Sequence, residues 1–224
     1  KTAYCGAFTH DIRAALRYVA KKFGNTAQLF VCGFSLGANM LTKYLGEHGL
    51  ASKEPHIAGA VVISNPFNFH ISSKNLSEQV LYDKDLLAGL KANFQRHAEN
   101  VGWYNVAPKK RVLSSTSVHE FDKEFTAKVW GFQSVEHYYS EASSDQYVQH
   151  IRVPFLAINA IDDPLVAPEA LPFQAFEKNP YTMLMVTNRG GHCGFAQGIA
   201  PFGREQPNWT DRLAITIFDF FQQQ

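Results

Sequence analysis

Cysteine is scarce in this sequence: Cys5, Cys32 and Cys193 are the whole complement, odd in number and without C-x-x-C spacing. That argues against a disulfide framework or a zinc knuckle and favours a reducing compartment. An excess of either charge is missing as well. Lys and Arg number 21 against 20 Asp and Glu, and Lys109-Lys110-Arg111 is the main basic cluster, so nothing forms an electrostatic footprint for nucleic acid. No apolar run approaches the length that spans a bilayer, and the opening KTAYCGAFTHD lacks the apolar core of a signal peptide. The segment therefore reads as soluble. No internal repeat or low-complexity tract interrupts it. Nor do His10, His48, His56, His70, His97, His119, His137 and His150 form an H-x-x-x-H or H-E-x-x-H pair, so they read as solvated or packing histidines rather than metal ligands.

What is present is ordinary globular material. At 224 residues, 46% hydrophobic and 18% charged, the chain is long enough to bury a core. Four short apolar runs, AQLFVCGF, HIAGAVVIS, VPFLAINA and YTMLMVTN, predict buried strands. Helical spacing predicts helices over FTHDIRAALRYVAKKF with a stop at Gly24, over LGANMLTKYLGEHG ending near Gly46 and Gly49, and over RLAITIFDFF. Strands alternating with helices predict an α/β fold, a mostly parallel sheet with helices on both faces. Residues 66–150 break the alternation: the stretch is aromatic and polar and predicts several helices inserted between two strands. Residues 1–65 and 151–224 would then form the core. The insertion is either a cap over the site or helical decoration with no role there.

One junction carries chemistry. The strand LFVCGF runs into Gly33-Phe34-Ser35-Leu36-Gly37 and then into a helix, the setting of a nucleophile elbow, in which a tight turn holds a serine hydroxyl above the sheet edge. The glycines on either side are expected to let the backbone pass without Cβ clashes. The N–H of Leu36 and the helix N-terminus would face negative charge developing on an attacked carbonyl. A serine needs a base and an orienting acid. The order Ser, Asp, His is met by Asp162-Asp163 after the third run and by His192 in the glycine-rich RGGHCGF after the fourth, both at strand carboxyl ends. Asp163, before Pro164, is the expected acid and Asp162 a turn or supporting group; Cys193 reads as a small residue in a tight loop. Phe34, Pro66 and Phe67 are candidate substrate contacts. Phe67, Phe69, Trp103 and Tyr104 line an acyl channel or pack inside the cap.

These stretches, with EFDKEFTAKVWGFQSVEHYYSEAS and WTDRLAITIFDFF, together resemble the α/β-hydrolase family, in particular its branch of embryogenesis-associated proteins, monoacylglycerol lipases and phospholipases. The resemblance runs over nearly the whole length. It implies Ser35 as nucleophile, Asp163 as acid and His192 as base, hydrolysis of carboxylic esters such as acylglycerols through an acyl-enzyme, no metal or organic cofactor, and a cytoplasmic or membrane-associated location. A hydrolase-fold binding protein that keeps the serine turn, or an acyltransferase, is the alternative. The family pattern has several strands before the nucleophile strand, and the loop after the third supplies a second oxyanion N–H. Here the sequence starts at the helix before the nucleophile strand, so the expectation is one piece of a longer or cleaved protein.

Overall fold

A sheet of four parallel strands in sequential order frames the computed structural model, which describes residues 3–24, 28–48, 55–196 and 208–222. The four apolar runs supply the strands: β1 (Leu29–Phe34), β2 (Ile57–Ile63), β3 (Phe155–Ala160) and β4 (Thr182–Thr187). Helix α1 (His10–Phe23) precedes β1 and stops at Gly24, whose φ of 86° suits glycine. Helix α2 (Leu36–His48) connects β1 to β2. Gly49 lies outside the described residues.

Between β2 and β3 the described chain is helical: α3 (Phe69–Glu78), α4 (Val80–Val101), α5 (Lys109–Leu113), α6 (Val118–Phe121), α7 (Ala127–Trp130) and α8 (Val135–Ala142). A π-helical turn, Asp122–Thr126, joins α6 to α7. Polar side chains set the starts of three of these helices. Asn68, Ser117 and Ser134 accept from the N–H groups of Ile71, Glu120 and His137 at 3.2, 3.1 and 3.1 Å, satisfying first-turn donors that have no acceptor in the helix. Helix α9 (Phe173–Lys178) then connects β3 to β4, and α10 (Trp209–Gln222) closes the described chain. No helix among the described residues is long and apolar enough to cross a membrane.

The central strands β2 and β3 are buried on both faces and largely apolar, while β1 and β4 at the two sides are partly exposed, and the period of two still decides which side chain goes where. Ala60, Val62, Phe155 and Ala157 pack against Leu41, Tyr44 and Leu45 of α2 and Phe176 of α9. Val61, Ile63, Leu156, Ile158 and Ala160 point the other way and meet Ala214 and Leu213 of α10. The inserted helices have a core of their own around Phe94, which packs with Trp103, Tyr104, Phe121 and Phe125. Buried amides fasten the insertion to the sheet unit. Asn39 of α2 donates to the carbonyl of Ala142 at 2.8 Å and Asn65, past β2, donates to Thr42 Oγ1 at 2.9 Å and Ser144 Oγ at 3.3 Å.

The β1–α2 junction corrects one expectation. A Cβ on Gly33 would lie 2.9 Å from the carbonyl oxygen of Gly37 and 3.0 Å from Cα of Ala38, whereas one on Gly37 meets nothing within 4 Å. Only the first glycine is sterically required; the close contact is between the strand end and the helix that folds back over it. Gly33→Ala should therefore cost about 1–3 kcal/mol of stability. Gly37→Ala, in the first turn of a helix, should be neutral or stabilising by up to about 1 kcal/mol. Urea denaturation of the two variants against the parent checks the contrast.

Candidate active site

Ser35 stands between β1 and α2 with φ of 50°, left-handed backbone that costs a non-glycine residue on the order of 1–2 kcal/mol. Its neighbours hold it there. The Ser35 N–H extends the sheet ladder by donating to Ile63 O at 2.9 Å, and its carbonyl accepts the first bond of α2 from Asn39 N at 3.1 Å. The backbone thus belongs to strand and helix at once, and the side chain is directed away from both.

Parallel strands bring the next two residues to the same edge. The loop after β3 carries Asp162 and Asp163, and the loop after β4 carries His192. His192 Nδ1 lies 2.9 Å from Asp163 Oδ2, and Nε2 lies 2.7 Å from Ser35 Oγ. In the neutral tautomer this network selects, Nδ1–H donates to the carboxylate and Ser35 Oγ–H donates to Nε2. The Asp163 side chain is fully buried, and its Oδ1 also accepts from Leu165 N at 2.8 Å and Val166 N at 3.1 Å. Those two backbone donors fix the carboxylate plane.

The adjacent aspartate serves the loop instead. Asp162 Oδ1 accepts from Gly190 N and Gly191 N, both at 2.8 Å, tying down the backbone just before His192. Gly191 has φ of 60°, and a Cβ on Gly190 would meet the Phe195 ring at 2.5 Å. Cys193, also left-handed at φ of 61°, donates its N–H to Ser64 Oγ at 3.0 Å, so the loop is pinned to the end of β2 as well.

A cavity of about 210 Å³ opens beside Ser35, Leu36 and His192, between the sheet edge and the inserted helices. Much of its wall is apolar, with Pro66, Phe69, Leu76, Leu86, Leu90 and Leu165. Ser72, Ser73, Asp122, Thr126, Tyr138 and Tyr139 form a polar part. Of the aromatic candidates, Phe69 lines this cavity together with Pro66; Phe67, Phe34, Trp103 and Tyr104 do not. Phe67 is fully buried in the core between the sheet and α9, edge-on to Phe176 with ring centres 5.7 Å apart. Its φ of 39° turns it into that core, and Phe34 is an exposed residue at the end of β1. A wider groove of about 660 Å³, along residues 145–149 and 171–178, holds none of Ser35, Asp163 and His192.

Asp122 was invisible to sequence reasoning as a site residue. It starts the π-helical turn, partly accessible to the cavity, and accepts from Thr126 Oγ1 at 2.7 Å and from Tyr139 OH at 3.1 Å. Burial pushes its carboxyl up to about 6, against the two hydrogen bonds that favour the anion. No group of three or more His, Cys, Asp or Glu side chains among the described residues is placed to hold a metal ion. The three cysteines are free thiols.

The family model described as the alpha/beta hydrolase fold matches residues 4–199. The chain belongs to the α/β-hydrolase family. It is 36% identical to the embryogenesis-associated protein EMB8 of Picea glauca, over 98% of this chain and 48% of that protein. It is 34% identical to a monoacylglycerol lipase of Saccharomyces cerevisiae, over 86% of this chain and 43% of the relative. To phospholipase ABHD3 of Homo sapiens the identity is 30%, over 94% of this chain and 50% of that protein. The chain spans about half the length of these curated relatives. Among solved structures, an esterase of Pyrococcus furiosus superposes with a TM-score of 0.54 at 16% identity, over 96% of this chain and 61% of that one, which shows the shared fold.

Burial alone would lower the pKa of the His192 imidazole, but the Asp163 carboxylate, with a smaller contribution from Cys193, reverses this and pushes it up to about 9. A pKa raised above the unfolded value near 6.5 stabilises the fold fully below that value, and the contribution is lost as pH rises through about 9. An NMR titration of the imidazole should therefore show an ionisation above the ordinary histidine range. Asp163→Asn should move it down towards or below that range, because burial is then opposed only by the smaller contribution of Cys193. An unmoved ionisation would remove Asp163 as its cause.

Proposed function

We propose that this chain carries the catalytic centre of a serine carboxylic-ester hydrolase acting on acyl esters of lipids, monoacylglycerols or related medium- to long-chain esters, through an acyl-enzyme. The observation that carries the reading is an imidazole bonded at both nitrogens, to a serine hydroxyl on one side and a buried carboxylate on the other, at the wall of a largely apolar cavity. The monoacylglycerol lipase and phospholipase among the relatives support the lipid ester.

The geometry supports the following steps. Neutral His192 removes the Ser35 proton as Oγ attacks the ester carbonyl carbon, and Asp163 stabilises the imidazolium that forms. The carbonyl oxygen becomes an oxyanion. It is held by the N–H of Leu36, which opens α2 and has no acceptor within the helix, and by the positive end of that helix. Collapse of the intermediate expels the alcohol, which takes the proton from His192, and leaves the acyl group on Ser35. Water then attacks the acyl carbonyl while His192 takes its proton; the serine leaves with that proton, and the fatty acid is released. The base must be neutral, so kcat/KM should rise with pH through the His192 ionisation.

In the full-length protein, Ser35→Ala should lower kcat/KM for a medium-chain p-nitrophenyl ester by about 10⁴-fold or more while unfolding stays cooperative. Turnover equal to that of the parent would remove Ser35 from the mechanism.

A further inference from the structure

The polar part of the cavity has a direction to its hydrogen bonding that the hydrolytic mechanism leaves unused. Each hydroxyl carries one proton, and four of the lining hydroxyls have committed theirs to protein acceptors. Ser72 Oγ donates to Pro66 O at 2.9 Å, Ser73 Oγ to Tyr139 OH at 3.3 Å, Thr126 Oγ1 to Asp122 Oδ1 at 2.7 Å, and Tyr139 OH to Asp122 Oδ2 at 3.1 Å. The chain Ser73, Tyr139, Asp122, Thr126 therefore converges its protons on one carboxylate. A carboxylate has about four lone-pair sites, so Asp122 keeps acceptor capacity beyond these two bonds. The hydroxyl of Tyr138 accepts from Gly6 N at 3.2 Å and keeps its own proton. Among the described lining residues there is no lysine or arginine to meet an anion, and His192 is paired with Asp163. Such a wall offers a ligand mainly acceptors and one negative charge.

The arrangement spans the π-helical turn. Asp122 and Thr126, its first and last residues, meet at the i,i+4 spacing that puts side chains on one helix face, and Tyr139 reaches them from α8. Such turns interrupt α-helices at a cost and recur at functional sites.

Resting on the serine-esterase reading above, we propose that Asp122, with Thr126 and Tyr139, forms a leaving-group subsite that accepts a hydrogen bond from a free hydroxyl on the alcohol half of the ester. The substrate is then a neutral ester whose alcohol carries further hydroxyls, such as a monoacylglycerol. A lysophospholipid of the same acyl chain presents a phosphate to a carboxylate where the one cation of the described lining, His192, is already paired with Asp163, and is disfavoured. The apolar wall formed by Leu76, Leu86 and Leu90 takes the acyl chain.

The test uses the full-length protein and three esters of one medium-length acid: the 1-monoacylglycerol, the methyl ester and the lysophosphatidylcholine. The parent should prefer the monoacylglycerol to the lysophosphatidylcholine. Asp122→Asn, which keeps the shape and removes the charge, should lower the monoacylglycerol to methyl ester ratio of kcat/KM about 10- to 100-fold, mainly through KM. It should also narrow the gap to the lysophosphatidylcholine. A folded Asp122→Asn protein with unchanged ratios would overturn the subsite and leave the esterase reading standing. Loss of Ser35-dependent hydrolysis of all three esters by the parent would overturn both. Should Asp122→Asn not fold, binding to Ser35→Ala decides: tighter binding of a 1-alkylglycerol ether than of the matching alkylphosphocholine supports the subsite, and equal or reversed affinities overturn it.

Discussion

A non-glycine residue at φ of 50° stays there only if its surroundings insist, and the surroundings of Ser35 are the rest of this fold. Its N–H belongs to the sheet and its carbonyl to α2, so the turn cannot relax without breaking a ladder bond or a helix. Gly33 permits the close return of α2 over the strand end. The strand is in turn held in register by β2, and β2 by the fully buried β3. Stability of the sheet is thereby spent on holding one hydroxyl in place.

The parallel sheet also explains how residues far apart in sequence meet. Every strand delivers its carboxyl end to the same edge, so the loops after β1, β3 and β4 supply Ser35, Asp163 and His192 without any long excursion. The two neighbouring aspartates divide the work that remains. Asp163 faces the imidazole, while Asp162 holds the loop that carries it, through the N–H groups of Gly190 and Gly191. Removing either would loosen the same ring by different routes, one electrostatic and one mechanical.

Much of this was legible in the sequence because the signals are local. Four short apolar runs became four strands, and the glycine-flanked serine lay between a strand and a helix, where that chemistry needs it. Chain order and strand ends pointed to the pair Asp162-Asp163 and to His192, and the place before Pro164 favoured Asp163 within the pair. The polar wall of the cavity was not legible, since Ser73, Asp122 and Tyr139 come from separate helical turns whose packing angles no periodicity encodes. A π-helical turn has no sequence signature either. Aromatic residues misled for a related reason: Phe67 and Phe69 are two positions apart and alike in chemistry. A left-handed backbone at Phe67 buries one beside Phe176, while the other faces the cavity. Gly37 resembles Gly33 in the motif, yet only the structure separates the one that steric contact requires.

The central claim is that Ser35 is activated by the imidazole to which it is bonded, and covalent capture reads that property directly. The purified full-length protein would be treated with a fluorophosphonate and analysed by intact mass and peptide mapping. One adduct per chain, on Ser35 and absent when His192 is replaced by alanine, is the predicted result. No adduct, or one on another residue with Ser35 unmodified, would contradict it.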